Sequence, residues 1–112
     1  MKEIPIWLEA ELARMYTRFR DKALPDYMWE GVRLYVSRGI CPGHFLTNAL
    51  ENRLCGAYSH ADDHNTAAMQ QWVLFFYNDL PSGCWGTPEK VTAWVNSGGL
   101  LGLHETSAKE KP

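Results

Sequence analysis

At 112 residues, with 46 % hydrophobic and 21 % charged side chains, the chain has the balance of one globular domain with a single core, not of a disordered segment. A net charge of −2 and an isoelectric point near 6.0 exclude bulk nucleic-acid binding, which needs a clustered basic surface, and leave room only for a local basic pocket. No apolar run approaches the roughly 20 residues of a membrane span. Glu3, Glu9 and Glu11 occupy the place of a signal-peptide core, and three cysteines without a C-x-x-C pair predict reduced thiols and a cytoplasmic setting.

Proline and glycine divide the chain into five predicted helices. The first runs from Pro5 to about Arg20, with Leu8, Leu12, Met15 and Phe19 forming one apolar stripe at steps of 4, 3 and 4. That stripe suits either packing on the rest of the domain or a dimer seam, so self-association is expected. The second helix follows Leu24-Pro25 with Asp26 in its first turn. Met28, Val32, Tyr35 and Val36 form its buried face, Asp26, Glu30, Arg33 and Ser37 its polar face, and Gly39 is its left-handed terminator.

The third helix begins after Pro42-Gly43 and carries the strongest apolar period, from Phe45 to Tyr58. Its other face reads as a stripe of His44, Asn48, Asn52, Cys55 and Ser59, an amide-rich surface without the charges of a solvated face. The fourth starts at Asp62-Asp63 and stops at Leu80-Pro81. Its run Trp72-Val73-Leu74-Phe75-Phe76-Tyr77 is apolar all round and implies a central helix. After the Pro81–Gly86 loop, Thr87 caps the fifth helix, Pro88 and Glu89 occupy its first turn, and Asn96 to Gly99 end it. The expectation is one all-α domain over residues 1–103, with a core block at 24–97, an N-terminal helix at 5–20 and a flexible tail at 104–112.

Three constellations carry candidate chemistry. His60-Ala-Asp-Asp-His64 puts two imidazoles four residues apart, and His60, Asp63 and His64 would serve a metal-dependent hydrolase if one helix ran through them. The junction of the third and fourth helices argues against that continuity. His44, Asn48, Asn52, Asp62 and Asn65 would hold a small ligand by amide and carboxylate hydrogen bonds, with Arg53 or Arg38 supplying positive charge to an anionic one. The same asparagines would equally serve as caps and core hydrogen bonds. Trp85, between Gly83 and Gly86, is the tryptophan best placed to leave the core as a binding hot spot. No catalytic elbow, phosphate loop or dinucleotide motif occurs, so neither a catalytic residue nor a cofactor is expected.

Leu24-Pro25-Asp26, Cys41-Pro42-Gly43-His44-Phe45-Leu46-Thr47, Asn52-Arg53-Leu54, Ala61-Asp62 and Trp85-Gly86-Thr87-Pro88-Glu89-Lys90-Val91 together resemble a family of small helical proteins of phages and prophages. The resemblance covers residues 24 to 95 and leaves His60 and His64 outside its pattern. It implies a non-catalytic accessory protein of the host cytoplasm that binds a host protein or sequesters a small anionic, nucleotide-like signal, as in counter-defence. A purely structural dimerisation module is the remaining class.

Overall fold

The computed structural model describes residues 4–110, which form eight α-helices and two 3₁₀ turns and no strand. The first helix, α1 (Ile6–Asp21), follows Pro5, whose missing N–H costs nothing at a helix start. Its stripe faces inward: Leu8, Leu12, Met15 and Phe19 are 0–6 % exposed, each worth about 1.5–3 kcal/mol of burial. The Phe19 ring meets Trp72 and Phe75 edge-on at 5.7 and 5.5 Å. The face considered as a dimer seam is therefore consumed within the chain's own core.

A 3₁₀ turn at Asp26–Met28 leads into α2 (Trp29–Arg38). Gly39 ends α2 at φ 68°, and the Ile40 N–H reaches back to the Leu34 carbonyl, the paired bonds of a left-handed helix stop. Ser37, assigned to the polar face, is buried instead and donates its hydroxyl to the Arg33 carbonyl one turn back.

The predicted third helix is two helices, α3 (His44–Leu50) and α4 (Leu54–His60). Asn52 makes the break: it sits at φ 64°, a left-handed conformation that asparagine tolerates better than most residues. The Arg53 N–H then closes the corner on the Asn48 carbonyl at 2.9 Å. The predicted fourth helix is likewise divided, into α5 (Asp63–Ala67) and α6 (Met69–Asp79), at Ala68. Along α6, Trp72, Phe75 and Phe76 turn into the core, whereas Val73, Leu74 and Tyr77 stay 44–77 % exposed.

A second 3₁₀ turn at Ser82–Cys84 precedes α7 (Pro88–Ser97), where Thr87 Oγ1 accepts the Lys90 N–H at 3.1 Å as the expected cap. Tyr35 ties these parts together: its hydroxyl donates to the Cys84 carbonyl, and its own carbonyl accepts from Trp94 Nε1 at 2.8 Å. Helix resumes directly at Gly98-Gly99. Both glycines take positive φ, the backbone turns sharply, and α8 (Gly99–Glu110) extends into the segment read from sequence as a tail, of which 111 and 112 lie outside the described residues. Gly99 abuts Gly39 so closely that a Cβ on it would lie 2.6 Å from the Gly39 nitrogen, and this contact seats α8 against α2. No helix among the described residues is long and apolar enough to cross a membrane.

Candidate functional site

A cavity of about 480 Å³ opens between the first 3₁₀ turn, the start of α3, the end of α4 and α5. Met28, Phe45 and Leu46 give it an apolar floor, and Tyr27, His44, His60, Asp62 and Asn65 supply the polar groups. The corner at Ala61–Asp62 builds it. Both residues are extended, so α4 stops at His60 and α5 restarts in a new direction, with Asp62 as its N-cap. Asp62 Oδ1 accepts the Asn65 N–H at 2.7 Å, and Oδ2 accepts the Tyr27 hydroxyl. These two bonds, the tyrosine's first, hold the Asp62 carboxyl below the usual carboxylate range, and the same bond pushes the Tyr27 hydroxyl up.

His44 and His60 stack on one wall, with ring centroids 5.3 Å apart and 28° between planes. His60 Nδ1 faces the Gly56 carbonyl at 2.9 Å. A carbonyl can only accept, so Nδ1 carries the proton and Nε2 of the neutral ring is an acceptor. Asn65 is 3 % exposed, and its Oδ1 accepts from Trp72 Nε1 at 2.9 Å, so its amide oxygen belongs to the core while the residue also lines the cavity.

The remaining predicted site residues lie elsewhere. Asn48 lines neither this cavity nor the slot described next. Its Nδ2 donates to the His44 carbonyl at 2.7 Å, and its Oδ1 lies where a Cβ on Gly56 would come within 2.2 Å, so it fastens α3 against α4. Asn52, Arg53 and Trp85 line a separate slot of about 90 Å³ against α6. Trp85 does not project from its loop. It packs on Phe76 and Tyr77 at 5.9 and 6.3 Å, and the Gly86 N–H anchors the loop on the Leu50 carbonyl at 2.7 Å. The expected single stripe from His44 to Asn52 is thus divided, because it assumed one continuous helix across the Asn52 break.

Positive charge is also misplaced by the sequence reading. Among the described residues no Lys or Arg lines the 480 Å³ cavity; Arg38 lines a depression beside Val95–Gly98, and Arg53 pairs with Glu51 at 2.9 Å. The metal constellation is not assembled either. His60 faces His44, His64 stands edge-on to Tyr27 at 6.3 Å, and among the described residues no three His, Cys, Asp or Glu side chains group to hold a metal ion. Cys41 and Cys55 are exposed, whereas burial pushes the Cys84 thiol up to about 12. No Ser, Thr, Cys or Lys lines the cavity among the described residues.

Tyr27 is the cavity residue that sequence reasoning missed. Its signal was an aromatic beside the apolar stripe of the second helix and not on it. Compared with known protein families, with characterised proteins and with solved structures, the chain matches none.

Proposed function

We propose that the chain is a non-catalytic binding protein, of the phage accessory kind suggested by its sequence motifs, whose cavity holds a planar heterocycle rich in N–H donors. The observation that carries this reading is the chemistry of the wall. Two of its polar groups, the Asp62 carboxylate and His60 Nε2, serve as acceptors beside stacked imidazoles over an apolar floor, and the Asn65 amide, whose oxygen Trp72 takes, adds Nδ2 as a donor. A volume of about 480 Å³ falls within the range of small-molecule sites. An amino-substituted ring, a nucleobase above all, offers the matching donors and a face to lay on apolar and imidazole surfaces. With Asp62 on the wall and no Lys or Arg there among the described residues, the nucleotide-like ligand is held by its base, and any phosphate points to solvent.

The test is a thermal-shift and chemical-shift titration with adenine, guanine and cytosine nucleosides, their monophosphates and cyclic nucleotides. At a hundredfold excess over Kd a bound ligand stabilises by about 2.7 kcal/mol, a shift of many degrees for a domain of this size. A nucleoside is expected to bind at least as well as its phosphorylated form, and His60→Ala and Asp62→Asn to remove the shift. Binding of phosphorylated forms alone, or ligand shifts untouched by both substitutions, would reject the assignment.

A further inference from the structure

The polar groups of the cavity stand in an order that selects among heterocycles. Resting on the reading of this cavity as the site of a planar heterocycle, we infer that Asp62 and Asn65 recognise the 2-amino-4-oxopyrimidine edge, which guanine shares with the pterins. On that edge a carbonyl oxygen, a ring N–H and an exocyclic amino group lie side by side, one acceptor followed by two donors. Its complement is one donor beside the two oxygens of a carboxylate.

Asp62 and Asn65 supply that complement. Asp62 Oδ1 accepts the Asn65 backbone N–H at 2.7 Å and Oδ2 accepts the Tyr27 hydroxyl, so the carboxylate is held at both oxygens. A carboxylate offers about four lone-pair sites, which leaves each oxygen a further bond to accept. Asn65 is buried, and Trp72 Nε1 donates to its Oδ1 at 2.9 Å, which fixes the orientation of the amide and leaves Nδ2 as its donor end. Tyr27 does most to hold the Asp62 carboxyl low and the Asn65 side chain adds to it, so Nδ2 lies beside the carboxylate with a second N–H to give. The Tyr27 hydroxyl proton is spent on Asp62, so this tyrosine positions the carboxylate.

The same order disfavours the other bases. Adenine and cytosine each set an amino group beside an unprotonated ring nitrogen, whose lone pair would face a carboxylate oxygen, and uracil sets a carbonyl there. Guanine instead gives two parallel N–H···O bonds to an anion, the charge-assisted bidentate form, and its carbonyl falls to Asn65 Nδ2. A site built to bond a partner's donors loses those bonds when the wrong ring enters. Asp62 is exposed to solvent, so the discrimination expected is about tenfold for each lost bond, the low end for a charged acceptor. Met28, Phe45 and Leu46 offer an apolar surface to the ring face, and about 480 Å³ admits a purine nucleoside or a pterin.

Calorimetric titration of the full chain with an analogue series tests this. Guanosine, pterin or both should bind, and the arm that binds names the source of the edge. Inosine, which lacks the 2-amino group, and 1-methylguanosine, which lacks the ring N–H, should each bind at least about tenfold more weakly than guanosine. Lumazine, with a carbonyl in place of the amino group, should fall behind pterin by the same factor, and adenosine and cytidine should be weaker still. Asp62→Asn keeps a capping residue before α5 and puts a donor where the carboxylate accepted. It should therefore prefer xanthosine to guanosine and lumazine to pterin, an inversion that no general loss of structure produces. The analogue series needs no variant and decides even where Asp62→Asn does not fold. Adenosine or cytidine bound as tightly as guanosine and pterin, with His60→Ala removing all of them, would overturn the inference and leave the heterocycle site standing. Inosine equal to guanosine, lumazine equal to pterin, or a folded Asp62→Asn protein with the parent's preference would likewise overturn the inference alone. Binding of none of these compounds would overturn both.

Discussion

The bond from Trp72 to Asn65 decides whether the amides of this chain are site residues or framework, and it can be measured. Trp72 is fully buried, and its indole N–H donates to Asn65 Oδ1 at 2.9 Å, with Asn65 itself 3 % exposed. Asn65→Ala leaves a buried donor without a partner, at a cost of about 1–3 kcal/mol. Trp72→Phe orphans the Asn65 oxygen and removes part of a ring that four other aromatics touch, Phe19, Phe45, Phe75 and Phe76, at a cost of about 2–4 kcal/mol. In the double variant neither orphan remains, so the summed single losses should exceed the double loss by about 1–2 kcal/mol. Equilibrium urea unfolding with equal m-values gives all four stabilities, and a small domain's total of about 5–15 kcal/mol makes each difference readable. Coupling within about 0.5 kcal/mol of zero, or an Asn65→Ala midpoint equal to that of the parent, would refute the reasoning. Asn65 would then be free to act as a ligand group alone.

Three further outcomes follow from particular contacts. Gly99→Ala should cost about 2–5 kcal/mol, a left-handed penalty plus a Cβ 2.6–2.8 Å from backbone atoms of Ser37, Arg38 and Gly39 that cannot swing aside; Gly98→Ala, whose nearest atom is 3.3 Å away, should cost less, and parity between the two in urea unfolding would contradict the contact. A chain beginning at Lys22 should lose its cooperative thermal transition, because it lacks Leu8, Leu12, Met15 and Phe19; a truncated chain that melts like the parent would return α1 to the status of an appendage. The Asp62 carboxyl is held below its ordinary range by Tyr27 and the Asn65 N–H, so its contribution is present above the unfolded carboxylate pKa and lost as pH falls through the folded value. In acid titrations followed by urea midpoint, Asp62→Asn should lack that component of the pH dependence, and identical profiles for both proteins would remove it.

Helix existence was legible because it depends on local chemistry. Pro5, Gly39 and Thr87-Pro88 act within a few residues of themselves, and the structure uses each as a start or stop. The two hidden breaks were not legible by periodicity. Phe45, Leu46, Ala49, Leu50, Leu54, Ala57 and Tyr58 keep a helical period across the corner at Asn52, so the apolar pattern says one helix where the backbone makes two. The available signal was Asn52 itself, a poor helix former that takes the left-handed conformation readily. At the other end, Gly98-Gly99 was read as a terminus because glycine pairs stop helices. Here they turn one helix directly into the next, and Leu101 is 9 % exposed against the core.

The site follows from the same corner. A stripe along one helix would have put His44, Asn48 and Asn52 on a common surface; the break sends them to three different tasks. His44 goes to the cavity wall, Asn48 to the joint between α3 and α4, and Asn52 to the turn beside the slot. The corner also swings His60 back until it stacks on His44, a pairing between residues 16 positions apart that no sequence spacing announces. Asp62 shows the opposite case, since one carboxylate both caps α5 and receives Tyr27. Its capping role was predictable from its place before Asp63, whereas its partner across 35 residues was not. Local chemistry therefore made the cap at Asp62 legible, and the tertiary turns at Asn52 and Ala61–Asp62 determined which polar residues share a cavity. Replacing Asn52 with Gly, which keeps the left-handed turn, should preserve the His44–His60 stack and the cavity. Asn52→Val should disturb both at about 1–2 kcal/mol, visible as loss of the mutual ring-current shifts of the two imidazoles. Unchanged imidazole shifts in Asn52→Val would show that the cavity does not depend on this turn.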